Sequence, residues 1–134
     1  KMIDMEYIIN PFPAVRVNWK SGRFSPRAVK YHNNMNNLRD IIDLWEYTRQ
    51  EVVEALIYGK YSLIFIIKMP DTWSKKKKEE MNWKPHRQSP DTDNLFKAFT
   101  DTVFYKNERN DKEVYSIKAR KYWGTEWKIT FDIL

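Results

Sequence analysis

The segment that decides the fold is YSLIFIIKM, which runs from Tyr61 to Met69. Apolar and β-branched residues follow one another almost without interruption, which is typical of a strand in the interior of a sheet. Pro70 closes the segment, because proline has no N–H to donate to a neighbouring strand. We therefore predict a buried central strand here, with the other elements packed around it.

The chain before this strand is predicted to form a short strand over residues 6–9, a loop over 10–24 and a helical region. Ser25 and Pro26 begin that region, since serine caps a helix and proline suits its first position. Gly59 ends it. Four asparagines between positions 33 and 37 weaken its first half, so one long helix and two helices both stay open. The apolar residues with helical spacing are Leu38, Ile41, Ile42, Trp45, Val52 and Leu56.

The chain after the central strand alternates between polar and patterned segments. The predicted elements are a polar, lysine-rich loop over 72–90, a helix over 93–105, a turn over 107–111, a strand over 114–123 and a last strand over 127–133. The helix faces the core with Leu95, Phe99 and Val103. The order β-α-β-α-β-β predicts one domain over residues 1–134, of the α/β class with α+β character, in which helices pack on a mixed sheet.

The composition excludes several classes of protein. The chain has 134 residues, of which 42% are hydrophobic, so it can bury a core. Cysteine is absent, which excludes disulfides and thiolate metal sites and suits the cytoplasm. The longest apolar run, Leu63 to Ile67, is too short to cross a bilayer, so no membrane partner is expected. With three glycines in the chain, a loop that cradles a nucleotide cofactor is not expected either.

The positive charge is concentrated in one segment. The net charge is +6, and residues 73–88 carry six basic residues against two glutamates. Such a segment favours a polyanion, most often nucleic acid, although a solvated loop is the alternative. The residues predicted to contact DNA are Lys75, Lys76, Lys77, Lys78, Lys84 and Arg87, with a second region that includes Arg16 and Arg23.

Acidic residues cluster at the start of the predicted second helix. Asp91 and Asp93 lie two positions apart, so in an extended segment both side chains leave the same face. Lys97 and Asp101 follow at successive helical turns. Asn94 adds a polar group. Asp111 supplies a further acid in the predicted turn over 107–111 that follows the helix. Carboxylates suit a hard cation. The alternative is that Asp91 or Asp93 only caps the helix and that Asp93 and Lys97 form an ordinary ion pair.

The run DTDNLFK from Asp91 to Lys97, followed by Asp101 and by DKEV from Asp111, resembles the RusA family of Holliday-junction resolvases. The similarity covers roughly residues 61–133, and the motifs MP, WSKKK and KYWG resemble a phage and prophage branch of that family. The resemblance implies a RusA-like fold and a homodimeric endonuclease that depends on Mg²⁺, with Mn²⁺ as a substitute. It implies that a four-way DNA junction is cut by two symmetric nicks, in DNA recombination and repair.

Carried over residue by residue, the resemblance makes Asp91, Asp93, Lys97 and Asp111 the catalytic residues. The three acids among them would also bind the metal ion. Asp101 and Asn94 are possible additional site residues. Asn110 departs from the family, which often has two adjacent acids at Asn110-Asp111.

Two other functions stay open, namely a nuclease that prefers another branched DNA and a DNA-binding module without catalysis. Two kinds of side chain are also undecided. His86 is either a neighbour of the metal site or a general base, or else a structural or phosphate-contacting histidine. The loop tryptophans either stack on open bases or pin loops to the core; they are Trp19, Trp73, Trp83 and Trp123.

Overall fold

A computed structural model describes residues 5–7, 26–44 and 46–134. The elements in chain order are β1 (Met5–Tyr7), α1 (Pro26–Ile42), α2 (Arg49–Ile57), β2 (Tyr61–Lys68), α3 (Lys75–Met81), α4 (Thr92–Val103), a 3₁₀ turn (Asp111–Glu113), β3 (Ala119–Gly124) and β4 (Lys128–Ile133). The predicted first strand is confirmed at Met5–Tyr7, and its last two predicted positions lie outside the described residues. None of the described helices is long and apolar enough to cross a membrane.

The four strands form one mixed sheet in the order β1-β4-β2-β3. β2 pairs with β4 in antiparallel and with β3 in parallel orientation, so that Phe65 lies between Ile129 and Lys121. This confirms the predicted interior strand and the predicted class of helices on a mixed sheet. Within β2, consecutive residues are buried only at Phe65–Ile67. Ser62, Ile64 and Lys68 are partly exposed on the other face of the sheet.

The core lies between α4 and the sheet. The ring of Phe131 on β4 stacks on Phe99 of α4 at 5.6 Å and on Tyr61 of β2 at 5.8 Å. Leu95, Phe99 and Val103 are almost fully buried, which confirms the predicted inner face of this helix. α1 packs against α4 and adds buried residues to the same core. The face of α4 that remains exposed presents Asp93, Asn94 and Lys97 to solvent.

The helical region before β2 consists of two helices. α1 ends at Ile42, and α2 begins after Thr48, whose hydroxyl accepts from the Glu51 backbone N–H while the Glu51 carboxylate accepts from the Thr48 N–H. This reciprocal capping box starts a new helix at a defined residue. The asparagines do not prevent α1, since its buried residues keep a helical spacing. Trp45, which the periodicity assigned to the core, lies outside the described residues.

The prediction of an uninterrupted loop over 72–90 was wrong. Residues Lys75–Met81 form α3, and Ser74 caps it by accepting from the Lys77 N–H at 3.1 Å. Lysine, glutamate and methionine are good helix formers, and a serine cap before them satisfies a free N–H. The high lysine content favoured the loop interpretation, although it is equally compatible with an exposed helix.

The prediction of a strand over 114–123 was also wrong for its first half. The paired strand begins at Ala119, and Tyr115 and Ile117 are 77% and 60% exposed. The Tyr61 hydroxyl donates to the Ser116 carbonyl at 2.8 Å and accepts from the Lys118 N–H at 3.0 Å. A side chain thus satisfies backbone groups that a neighbouring strand would otherwise pair.

Candidate active site

The start of α4 presents two acids to solvent. Asp91 is the N-cap residue, and Asp93 lies in the first turn. Both side chains are exposed, as is Asn94. The Asp91 carboxylate makes no capping hydrogen bond to α4, all of which the structure describes. The Asp91 side chain therefore does not cap the helix, contrary to the capping alternative. The helix dipole favours negative charge at this end of α4.

Lys97 holds two acids together one turn further along α4. Its Nζ lies 2.6 Å from Oδ2 of Asp111 and 2.8 Å from Oδ1 of Asp101. Partial burial lowers the pKa of Lys97, but the hydrogen bonds to Asp101 and Asp111 outweigh that effect and raise the pKa above its ordinary value. The side chain therefore stays protonated throughout the neutral range, as a fixed positive charge on the polar face of α4.

A compact turn brings Asp111 to this lysine. Asn110 caps the 3₁₀ turn by accepting from the Lys112 N–H at 3.0 Å, and Glu113 accepts from the Asn110 N–H at 3.0 Å. Arg109 holds Glu113 at 2.7 Å, and its hydrogen bond lowers the pKa of that carboxyl to about 2. Asn110, the departure from the family pattern, thus has a structural role here as a helix cap.

Tyr31 of α1 reaches the same cluster from the other side. Its hydroxyl donates to Oδ2 of Asp101 at 2.8 Å. Burial, followed by the hydrogen bond and charge of Asp101, raises the pKa of Tyr31 well above its ordinary value, so the hydroxyl remains a donor. Both oxygens of Asp101 are therefore engaged, one by Tyr31 and one by Lys97. Sequence reasoning missed Tyr31, because one tyrosine at a core position of a helix carries no functional signal.

His86 is a buried histidine that packs under the basic segment. It is 5% exposed, its ring centroid lies 4.2 Å from that of Trp123, and its backbone N–H donates to the Lys121 carbonyl at 3.1 Å. Burial lowers the pKa of His86, and the positive charge of Lys121 acts in the same direction. This environment favours the structural alternative for His86.

The described loop tryptophans differ in their exposure. Trp123 is buried and lies 4.8 Å from Trp73, over whose ring Lys77 places its ammonium at 4.2 Å. Trp83 is 59% exposed and is backed by Tyr122. Base stacking thus stays a prediction for Trp83 among these three, whereas Trp19 lies outside the described residues.

The predicted DNA-contacting residues lie in different parts of the chain. Lys75, Lys76 and Lys77 are exposed on α3, and Lys78 is half-buried on the same helix. Lys84 and Arg87 are exposed in the segment between α3 and α4. Arg16 and Arg23 of the second predicted region lie outside the described residues.

The predicted metal ligands are oxygen donors only. Within residues 5–7, 26–44 and 46–134, no group of three or more histidines, cysteines, aspartates or glutamates is arranged so that it could hold a metal ion. Asp111 is paired with Lys97, whereas Asp91 makes no capping bond to its own helix. Carboxylate oxygens are what Mg²⁺ prefers, so the chemistry of these residues fits the ion. The assignment of Asp91, Asp93 and Asp111 to a metal stays a prediction.

One comparison with known proteins found a match. The family model described as Endodeoxyribonuclease RusA matches residues 9–133. This confirms the resemblance and extends it from residues 61–133 to nearly the whole chain. No curated protein and no solved structure matches the chain significantly. The chain therefore belongs to the RusA family of endodeoxyribonucleases, the Holliday-junction resolvases that act on branched DNA.

Proposed function

We propose that this enzyme resolves four-way DNA junctions by two symmetric nicks in opposing strands, with Mg²⁺ as its cofactor. The observation that carries the proposal is the cluster on the polar face of α4, where Lys97 is held between Asp101 and Asp111 within a few residues of two exposed acids. Acids for a cation beside a fixed positive charge are what phosphodiester hydrolysis needs.

Asp91, Asp93 and Asp111 would hold the magnesium ion, and Mn²⁺ would substitute for it. When bound, a divalent cation neutralises charge on the phosphate and lowers the pKa of a water molecule. The Asp91 carboxylate supports this assignment, because it makes no capping hydrogen bond to α4. Asp111 would have to exchange its contact with Lys97 at least in part.

Lys97 would stabilise the negative charge that develops on the phosphate in the transition state. A lysine ammonium is a compact charge, suited to a single phosphate oxygen. Asp101 and Tyr31 would orient it, since they form a continuous chain of contacts from α1 to the ammonium. The 54% exposure of the Lys97 side chain supports access by DNA.

The lysines of α3 would contact the DNA backbone, since four adjacent lysines give a strong field for phosphates. Lys84 and Arg87 would extend this contact, and Arg16 and Arg23 would add a second one. Such contacts supply affinity without reading base sequence.

The proposed pair of nicks requires a homodimer. Two cuts related by a two-fold axis need two active sites that are related by the same axis. Ile117 and Leu134, both 60% exposed, line one groove beside β3 and support a surface for self-association. Sedimentation of the purified chain tests this, and a mass of two 16.4 kDa chains is expected.

The decisive experiment is a panel of synthetic substrates, each strand labelled in turn: a four-way junction, a replication fork, a flap and a linear duplex. We expect paired nicks in opposing strands of the junction, in the presence of Mg²⁺ and not of a chelator. Faster cutting of the fork or flap would favour the alternative of a nuclease for another branched DNA. Binding without cutting under all metal conditions would contradict the catalytic proposal.

A further inference from the structure

We propose that Lys121 is a positioning residue that fixes the segment just before Asp91 and so prepares the Asp91 carboxylate for a divalent cation. The inference rests on the proposed metal-dependent function and assigns a role within it to a residue of β3. Lys121 does not touch the reacting atoms in this proposal and is therefore not a catalytic residue.

The Lys121 ammonium is anchored to two backbone carbonyls. Its Nζ donates to the Pro90 carbonyl at 2.6 Å and also to the Gln88 carbonyl. These carbonyls lie one residue before and one residue after Ser89, and Asp91, the N-cap residue of α4, follows Pro90 directly. A single side chain thus ties the entrance of α4 to the sheet.

The segment upstream of these carbonyls is attached to the same strand through its backbone. The Trp83 N–H donates to the Trp123 carbonyl at 2.9 Å, and the Trp123 N–H donates to the Lys84 carbonyl at 3.0 Å. Pro85 forms a bridge with Tyr122, and the His86 N–H donates to the Lys121 carbonyl.

Backbone pairing to β3 therefore extends to His86, and the Lys121 side chain continues it to Pro90. Without this side chain, the chain between His86 and α4 would lose both of these bonds to β3.

The geometry argues against a DNA-contacting role for Lys121. An ammonium group has three N–H donors, and two of them are directed to carbonyls. The side chain is partly buried, unlike those of the α3 lysines Lys75–Lys77. Burial lowers the pKa of Lys121, whereas the negative charge of Asp91 acts on it in the opposite direction.

A positioning role and a purely electrostatic effect of Lys121 predict opposite changes in cation affinity when its charge is removed. Removing a positive charge near Asp91 would strengthen the attraction of a cation if electrostatics dominated. If Lys121 instead orients a residue that binds the cation, its removal would weaken cation binding. For residues that hold a metal ligand in position, the loss is on the order of tenfold. The direction of the change therefore distinguishes the two.

The test compares Lys121→Met, Lys121→Arg and the control Arg120→Met in the 134-residue chain without DNA. Arg120 is exposed on the same strand, so its replacement removes equal charge. Mn²⁺ affinity is measured by electron paramagnetic resonance, and amide hydrogen exchange is followed over residues 88–91. We expect Lys121→Met to bind Mn²⁺ about tenfold more weakly and to exchange faster at 88–91. Lys121→Arg should keep most of the wild-type Mn²⁺ affinity and of the slow exchange at 88–91. Arg120→Met should change neither the affinity nor the exchange.

Should Lys121→Met fail to fold, Lys121→Gln, which keeps one N–H donor group, is expected to show the same changes in smaller degree. Unchanged or tighter Mn²⁺ binding by the folded Met or Gln variant would overturn the inference while leaving the proposed function intact, provided that the wild type still makes paired nicks. A wild type that binds no Mn²⁺ and cuts no junction would instead overturn the proposed function, and the inference with it.

Discussion

The ammonium nitrogen of Lys97 lies 2.6 Å from Oδ2 of Asp111, although the two residues are fourteen positions apart in the chain. Lys97 projects from the second turn of α4, and Asp111 begins the 3₁₀ turn that follows the helix. The contact joins two of the four residues predicted to be catalytic. It requires the chain to fold back after α4, and the Asn110 cap together with the Arg109–Glu113 ion pair fixes that return.

Replacement of Lys97 by alanine should lower the cleavage rate about 10²- to 10³-fold, because a charge directed at the reacting phosphate is lost. Junction affinity should change little. The free energy of unfolding should fall by no more than about 1 kcal/mol, since the ion pairs of Lys97 are exposed to solvent. Single-turnover nicking measures the rate, gel-shift titration the affinity and urea unfolding the stability. Lys30→Ala, an exposed lysine of α1, is the control. Equal losses of rate and affinity would make Lys97 a binding residue.

Asp93→Asn should abolish cleavage and leave junction binding intact. The amide keeps the size of the side chain but removes the charge that a divalent cation requires. Asp93 is exposed, so the fold should tolerate the change. Nicking in Mg²⁺ and in Mn²⁺, with gel-shift binding in parallel, is the measurement. Asp71→Asn is the matched control, since the Asp71 side chain is 84% exposed and lies before α3. Full nicking by the Asp93 variant in a clean assay would contradict the assignment.

Replacement of all four lysines at 75–78 by alanine should flatten the dependence of junction binding on salt. Each lost phosphate contact reduces the slope of log K against log salt by about 0.9. Alanine preserves α3, because it is the best helix former. Binding is measured at several salt concentrations. Glu79→Ala with Glu80→Ala, on the same helix, is the control and should not flatten the slope. An unchanged slope in the lysine variant would mean that α3 does not face the DNA.

The buried His86 should make the protein less stable as the pH falls below about 6.5, its ordinary pKa. Its pKa is lower in the folded than in the unfolded chain, so between the two values the unfolded chain binds more protons, and stability rises with pH. Urea unfolding at pH 5 and pH 7.5 measures this. His86→Gln should lose less stability than the wild type between these two pH values. His32→Gln, an exposed histidine of α1, should behave like the wild type. An equal pH dependence in all three proteins would rule out His86 as the source.

Local sequence patterns predicted most of the elements correctly. The apolar run of β2 and the core face of α4 were identifiable because burial imposes a period on the residues that touch the core. The two errors have different causes. Residues 75–81 are helical because lysine and glutamate are good helix formers and Ser74 caps them, so here the local pattern was misinterpreted. Tyr115 and Ile117 are exposed and precede the paired strand, which begins at Ala119.

The sequence by itself determined the interior strand, the amphipathic helix, the acidic motif from Asp91 to Lys97 and the family to which the chain belongs. Only the tertiary structure decided which distant groups meet them: Tyr31 at Asp101, Asp111 at Lys97, and Lys121 at the carbonyls before Asp91. The physical reason is that periodicity and capping act over a few residues, whereas these contacts join side chains that only the packing of α1, α4 and β3 brings within hydrogen-bond distance.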